Sequence, residues 1–264
     1  MFDMSKVYGS EDEKPLDNLT CDGGFCRIFR TVACVGDSLS SGEFESLTDD
    51  GVVGYHDCYE YSWGQHMARS AGFKVYNFSA GGMKAKQYNE SFADLNGFWD
   101  KDKLAQCYII ALGVNDLGCE KYPLGSVDDI DVKNFRNNKP TFAGDFARIL
   151  QRYKEMQPNA RFFLVTPPKN KAGEPTLPGH TELMYGIAGL FENTYVIDFD
   201  TYGPICDDEF RRKFFVGYHL NAAGYVLFAQ LTMSYMDYII RHNFEDFAQA
   251  GFIGTPYYYS GLKR

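Results

Sequence analysis

The chain has 264 residues, of which 45% are hydrophobic and 23% charged, a composition that excludes a disordered or low-complexity protein. Its 26 basic and 35 acidic side chains give a formal net charge of −9, which disfavours nucleic acid and anionic membranes as partners. The sequence has no apolar run of membrane-spanning length, and its N-terminal segment lacks the apolar part of a secretory signal. Together with a start at Met1, these features lead us to expect a cytoplasmic protein.

The seven cysteines do not form a metal-binding pattern, because no Cys-x-x-Cys pair occurs. Cys21 and Cys26 lie close together in a glycine-rich segment and could form a small disulfide or bind a metal. The sequence favours the alternative of seven reduced thiols, with Cys34 and Cys107 buried in apolar runs.

Apolar runs alternate with helical patterns after an irregular lead-in over residues 1–30. The run at residues 31–35 predicts a buried parallel strand that ends at Gly36. Thr141 and Asn221 are placed to cap helices. Long loops are expected at residues 42–59 and 117–140, and both could form the walls of a pocket. Further strands are predicted at residues 73–78, 107–112, 161–166 and 195–198, helices at 60–71, 99–106, 141–157, 180–190 and 222–241, and a tail at 242–264.

Repeated strand–helix alternation predicts an α/β fold in which helices cover both faces of a parallel sheet. We expect a single domain over residues 1–264. Ligands of such sheets bind beyond the carboxyl ends of the strands, so the residues that follow each strand are the first candidates for a site. They are Gly36-Asp37-Ser38-Leu39 after the first strand, Ser79-Ala80-Gly81-Gly82 after the second and Gly113-Val114-Asn115-Asp116 after the third.

These residue types suit acyl transfer. A serine hydroxyl needs a base, and of the five histidines His219 is best placed, on a loop before the last helix. A glycine-rich turn such as Gly81-Gly82 and a carboxamide such as Asn115 can donate hydrogen bonds to an oxyanion. The residues alone leave two interpretations open, a serine hydrolase and ordinary turn residues after strands.

Four segments resemble the sequence blocks of the GDSL, or SGNH, hydrolases, in the same order along the chain. Val35-Gly36-Asp37-Ser38-Leu39-Ser40 resembles the first block, and Asn77-Phe78-Ser79-Ala80-Gly81-Gly82 the second. Gly113-Val114-Asn115-Asp116 matches the third, and His219 with the segment that follows it resembles the last. The resemblance spans residues 31 to about 240 and leaves out the lead-in and the tail.

The resemblance implies a three-layer α/β/α sandwich with a flavodoxin-like parallel sheet of about five strands. It also implies that Ser38 is the nucleophile and His219 the base, and that Ser38, Gly82 and Asn115 form the oxyanion hole. No metal or organic cofactor is implied, and the partner is a small-molecule ester. Asp37 and Asp116 are expected to support the loops that carry Ser38 and Asn115.

One position departs from the family pattern, in which an aspartate lies three residues before the histidine. This chain has Val216 there, and valine cannot stabilise an imidazolium. Three alternatives follow: a backbone carbonyl orients His219 in a Ser–His dyad, a carboxylate comes from elsewhere, or the chain is an inactive relative. The aspartates nearest in sequence are Asp198, Asp200, Asp207 and Asp208.

The resulting expectation is an esterase that forms an acyl-Ser38 intermediate and acts on short acyl groups, among them those of acetylated carbohydrates. The alternatives are a lipase or lysophospholipase, and a non-catalytic ligand-binding protein, which the substitution at Val216 would explain.

Overall fold

A computed structural model describes residues 2–262, so Met1, Lys263 and Arg264 at the ends of the expected domain lie outside the described residues. A five-stranded parallel sheet in the order β4-β1-β5-β6-β7 forms its centre. Two antiparallel hairpins, β2–β3 and β8–β9, accompany it. The strands are β1 (Thr31–Gly36), β2 (Glu43–Leu47), β3 (Val53–Asp57), β4 (Lys74–Ser79), β5 (Cys107–Ala111), β6 (Arg161–Thr166), β7 (Thr194–Asp198), β8 (Phe215–Val216) and β9 (His219–Leu220).

Alternate side chains of the sheet build an apolar core on each of its faces. In β1, Val32 and Cys34 belong to one cluster, whereas Ala33 and Val35 belong to the other. Helices α3 and α10 cover the first cluster, and α6 and α7 cover the second, which confirms the three-layer α/β/α prediction. The helices are α1 (Ser5–Tyr8), α2 (Ser38–Ser41), α3 (Trp63–Ala71), α4 (Ala85–Gln87), α5 (Ala93–Leu95), α6 (Phe142–Met156), α7 (His180–Leu190), α8 (Phe199–Tyr202), α9 (Asp208–Phe214), α10 (Ala222–His242) and α11 (Phe244–Phe247).

Both predicted helix caps are confirmed. The Thr141 side chain accepts the N–H of Gly144 at 3.3 Å and begins α6. The Asn221 side chain accepts the N–H of Gly224 at 2.9 Å and begins α10. These contacts satisfy backbone donors that have no acceptor within the helix. The cap at Asn221 fixes the start of α10 directly after His219.

The helix predicted at residues 99–106 is wrong. One 3₁₀ turn at Lys101–Lys103 is the helical part of this stretch, and helical turns lie earlier, in α4 and α5. The Ala105 N–H donates to the Tyr108 hydroxyl, and the Gln106 N–H donates to the carbonyl of Thr31 in β1. These hydrogen bonds hold the chain extended before β5, so tertiary contacts override the local helical preference.

Residues 42–59 form a hairpin rather than the expected loop. Strands β2 and β3 pair in antiparallel register, with Glu45 opposite Tyr55, and Gly51 in the connecting turn has a φ of +80°. An Asp-Gly pair between two short runs is a recognised hairpin signal, and Asp50-Gly51 carries it here.

All seven cysteines are free thiols, and Cys34 and Cys107 are buried within the sheet. Among residues 2–262, the helices are too short or too polar to cross a bilayer.

Candidate active site

The turn after β1 presents Ser38 at the start of a short helix. Asp37 caps α2, and its Oδ1 accepts the N–H of Leu39 at 3.1 Å, which fixes the backbone on both sides of Ser38. Asp37 is buried, and burial raises the pKa of its carboxyl to about 7. Ser38 itself is partly exposed, and it lies at the carboxyl edge of the sheet, two residues after β1 ends at Gly36.

Gly82 and Asn115 lie on two neighbouring loops that are bonded to each other. The Asn115 Nδ2 donates to the carbonyl of Met83 at 3.2 Å, and the Asp116 Oδ1 accepts the N–H of Ala85 at 2.9 Å. Gly82 has a φ of +69°, in the left-handed region that favours glycine. The loop after β5 is therefore fixed against the loop after β4, and Asp116 supports it as the sequence predicts.

Three N–H groups are available as donors at this edge. The Ser38 N–H is at the first position of α2, where no acceptor exists within the helix. Within residues 2–262, the Gly82 N–H donates to no acceptor. The Asn115 side-chain amide donates one of its two hydrogens to the Met83 carbonyl, so the other hydrogen remains available. Donors of this kind stabilise an oxyanion when they point at one oxygen.

His219 lies in β9 with a carboxylate beside each ring nitrogen. Its Nδ1 is 3.2 Å from the Oε2 of Glu45, and its Nε2 is 3.0 Å from the Oε1 of Glu43. Each of the three side chains is only 11% to 12% exposed. The imidazole is therefore held in one orientation by two charged groups in a nearly buried environment.

The two glutamates differ in their electrostatics. The backbone N–H of Tyr218 donates to Glu45 at 2.8 Å, and this bond, assisted by His219, lowers the pKa of the Glu45 carboxyl. Burial raises the pKa of Glu43, and the nearby His219 opposes that rise. Glu45 is therefore the more firmly ionised of the two carboxyl groups beside His219.

The β2–β3 hairpin brings both glutamates to His219. Glu43 and Glu45 are two positions apart in β2, so their side chains project from the same face of the strand. Phe44 projects from the opposite face and packs against Tyr61 and Tyr225. The Tyr225 hydroxyl of α10 also donates to the backbone carbonyl of Glu43 at 2.7 Å, which anchors the hairpin to the core.

The β8–β9 turn is shaped to receive Glu45. Gly217 in this turn has a φ of +62°, and a side chain there would collide with the Glu45 carboxylate. The Arg211 Nη2 of α9 donates to the Gly217 carbonyl at 3.1 Å and holds the turn from the other side.

The favoured prediction for the partner of His219, a backbone carbonyl, is wrong, because Nδ1 faces the Glu45 carboxylate. Val216 pairs with His219 across β8–β9, and its side chain is half exposed. A carboxylate does come from elsewhere, but from the hairpin rather than from the aspartates near His219 in sequence.

Those four aspartates have other roles. Asp198 caps α8 and accepts hydrogen bonds from Thr166 and Tyr185. Asp200 lies within α8. Asp207 caps α9, and Asp208 is the exposed first residue of that helix.

Glu43 and Glu45 are not among the predicted site residues, because residues 42–59 are expected to form a loop. The available signal was the Asp50-Gly51 turn, which pairs β2 with β3 and thereby fixes which β2 side chains share a face.

The elements that carry Ser38 and His219 are adjacent, since α2 packs against β9. Within the described residues, no hydrogen bond joins the Ser38 hydroxyl to His219, whose Nε2 faces Glu43 instead. Catalytic hydrogen bonds often form only when substrate is bound, so this geometry is compatible with a Ser–His pair.

An apolar groove lies beside Ser38. It has a volume of about 450 Å³, and its lining includes Leu39, Val114 and Tyr218, each next in sequence to a predicted site residue. A smaller pocket of about 80 Å³ shares Leu39 and Val114 with the groove, and Phe199 and Phe228 form part of its wall. The site thus has an apolar side at this groove and an acidic side at the hairpin.

Residues 34–227, well over half of the chain, match the GDSL-like lipase/acylhydrolase family. No curated protein matches the chain.

Two solved structures share the fold. One is a family two carbohydrate esterase from Clostridium thermocellum in complex with cellohexaose, with a TM-score of 0.58, 14% identity, and coverage of 89% of this chain and 66% of that chain. The other is a carbohydrate esterase family 2 enzyme plus carbohydrate binding domain from Corynascus thermopiles (Myceliophthora fergusii), with a TM-score of 0.54, 17% identity, and coverage of 80% and 66%. This chain therefore spans about two-thirds of the length of each.

Proposed function

Because this chain belongs to the GDSL-like lipase/acylhydrolase family, we propose that it is a serine esterase that hydrolyses carboxylic esters. The contact between the Glu45 carboxylate and the Nδ1 of His219 carries the proposal. A carboxylate on Nδ1 holds the proton there and stabilises the imidazolium that forms when Nε2 accepts the serine proton. Nε2 can accept that proton once the Glu43 carboxylate has moved away from it.

In the first half-reaction, the Ser38 Oγ attacks the carbonyl carbon of the ester, and its proton passes to the His219 Nε2. The tetrahedral intermediate then collapses, the bond between the acyl carbon and the alcohol oxygen breaks, and Nε2 returns the proton to that oxygen. The products are a free alcohol and an acyl-Ser38 ester.

In the second half-reaction, water attacks the acyl carbon and gives a proton to Nε2. The collapse breaks the bond between the acyl carbon and the Ser38 Oγ, which regains the proton, and a carboxylic acid leaves. The N–H groups of Ser38 and Gly82 and the Asn115 amide are the proposed donors to the oxyanion in both halves.

The smaller of the two apolar pockets supports a short acyl group. Its volume of about 80 Å³ is about half that of the ~150 Å³ cavity that holds benzene, so an acyl chain bound there has only a few carbons, whereas the groove of about 450 Å³ would hold a longer one. A series of aryl esters with two to eight acyl carbons tests this, and kcat/KM is expected to be greatest among the shortest members.

The same experiments distinguish the proposed esterase from two other functions. A lipase or lysophospholipase would favour the longest acyl chains in that series. A non-catalytic binding protein was suggested by the valine at position 216, but Glu45 supplies the carboxylate whose absence motivated that idea.

Reaction with a fluorophosphonate, together with hydrolysis of phenyl acetate, tests the proposed function. The wild-type chain is expected to be labelled and active, and Ser38→Ala is expected to lose the label and roughly 10⁶-fold in kcat, as in the serine-protease template. Ser91→Ala is the matched control, because Ser91 is exposed and its hydroxyl donates to the Gln87 carbonyl in its own helical segment, and this variant should behave as wild type. Activity of Ser38→Ala near the wild-type level, with an unchanged circular dichroism spectrum, would show that the nucleophile is assigned wrongly.

A further inference from the structure

The Glu43 side chain lies between the proposed base and the oxyanion turn. Its Oε1 is 3.0 Å from the His219 Nε2, and its Oε2 lies against Gly81, where a side chain would collide with it. Nε2 is the atom that must exchange protons with Ser38 and with the leaving alcohol. An ester that reacts at Ser38 must therefore replace the Glu43 carboxylate at Nε2.

The displaced carboxylate stays close to the leaving group, because the backbone of Glu43 is fixed. Tyr225 holds its carbonyl, and Phe44 beside it is packed against the core. Only the side-chain torsions of Glu43 can change, so its carboxylate stays within the reach of one side chain from Nε2, where the alcohol oxygen binds.

That carboxylate needs a new hydrogen-bond donor once it leaves Nε2. It is nearly buried, and the charged or titratable groups that act on it are His219, Asp57, Glu45 and His56. Asp57 and Glu45 cannot donate when ionised, and the Nε2 of His56 is already 2.8 Å from the Ser46 hydroxyl. The Gly82 N–H is a proposed oxyanion donor, and a buried charge that loses its partner is costly. A hydroxyl of the substrate can supply the donor that replaces Nε2.

We propose that Glu43 accepts a hydrogen bond from a hydroxyl on the carbon next to the esterified carbon of the leaving alcohol. The preferred substrates are then monoesters of vicinal diols and polyols. In such an alcohol only two carbons separate the hydroxyl from the ester oxygen, so the hydroxyl can donate an O–H···O hydrogen bond of about 2.8 Å to a carboxylate that lies beside Nε2. This inference rests on the proposed esterase function and deepens it.

The test compares two acetates whose alcohols differ only in the donor, 2-hydroxyethyl acetate and 2-methoxyethyl acetate. The wild-type chain is expected to favour the hydroxyl ester in kcat/KM by roughly ten- to a hundredfold, the effect of a hydrogen bond to a charged group. Glu43→Gln should reduce this ratio to a few-fold, and Glu43→Ala should bring it close to one. The ratio is measured on a single enzyme, so a general loss of activity does not change it.

Glu60→Gln is the matched control, because it removes an equal charge from an exposed glutamate and should leave the ratio unchanged. A wild-type ratio close to one, or a ratio that persists in Glu43→Ala, overturns the inference. If Glu43→Ala does not fold, the kcat/KM ratio of the two acetates is measured in Glu43→Gln instead, and a ratio equal to that of the wild type overturns the inference. Acetylcholine is a third substrate with a positive charge and no donor, and a preference for it over 2-hydroxyethyl acetate would show that Glu43 selects charge instead.

Failure of this inference can be distinguished from failure of the esterase proposal. If phenyl acetate is hydrolysed in a Ser38-dependent manner but the hydroxyl ester is not preferred, only the role of Glu43 is wrong. If no ester is hydrolysed and no fluorophosphonate is bound, both proposals are wrong.

Discussion

The two halves of the candidate site are built in different ways. Ser38, Gly82 and Asn115 lie directly after parallel strands, and their positions follow from short local turns held by Asp37 and Asp116. His219 lies in a two-residue strand, and its orientation depends on carboxylates from a hairpin more than 170 positions away in sequence.

This difference determines how strongly a single substitution should affect each half of the candidate site. In the half that contains Ser38, the backbone supplies two of the three proposed oxyanion donors, so a single side-chain substitution would remove only part of that site. In the half that contains His219, side chains supply the orientation and the charge, so we expect one carboxylate to control the protonation of the proposed base. The following predictions test that contrast.

Glu45→Gln is expected to cause the largest loss among these predictions, roughly 10⁴-fold in kcat, as when the triad aspartate becomes an amide. A carboxamide can donate to Nδ1 and so favours the tautomer with a proton on Nε2, which cannot accept the Ser38 proton. The change is measured with phenyl acetate, and folding is checked by thermal unfolding. Asp208→Asn makes a comparable change at an exposed position and should remain within a few-fold of wild type. A Glu45→Gln enzyme within tenfold of wild type would mean that Glu45 is not the acid of this site.

The same contrast explains which parts of the molecule could be predicted from the sequence. The β1, β5 and β6 strands are continuous buried apolar runs, so their composition alone identifies them. None of the residues of β2 and β3 is buried, so no continuous apolar run identifies the hairpin, and Phe44 packs it against Tyr61 and Tyr225. Its position against His219 depends on contacts distant in sequence, so local patterns could not assign Glu45 to the base.

Asn115→Ala should lower kcat by roughly 10² to 10³ with little change in KM, because one oxyanion donor contributes about 3 kcal/mol, mainly in the transition state. The loss is smaller than for Glu45→Gln because the backbone donors of Ser38 and Gly82 remain. Steady-state kinetics on phenyl acetate measure both constants, with Asn96→Ala as a control at an exposed asparagine. A change confined to KM would instead make Asn115 a substrate-binding residue.

The smallest expected effect concerns position 216, where the family pattern has an aspartate. Val216 lies directly opposite His219 in the β8–β9 register, and opposed residues of an antiparallel pair project to the same face with Cβ atoms about 5 Å apart. In the wild-type background Nδ1 already has the Glu45 carboxylate, so Val216→Asp should change kcat by only a few-fold. In the Glu45→Gln background, the same substitution offers a replacement carboxylate, and we expect it to recover about tenfold or more of the lost kcat.

The two substitutions should therefore be strongly non-additive, as expected for side chains that share one partner. Val216→Asn in the Glu45→Gln background is the matched control, because it has nearly the same shape without the charge and should recover nothing. Equal activity of the Asp and Asn double variants would show that a carboxylate at position 216 cannot serve His219. If only Val216→Asp restores activity in the Glu45→Gln background, then His219 requires a carboxylate at Nδ1, and either β2 or β8 can supply it.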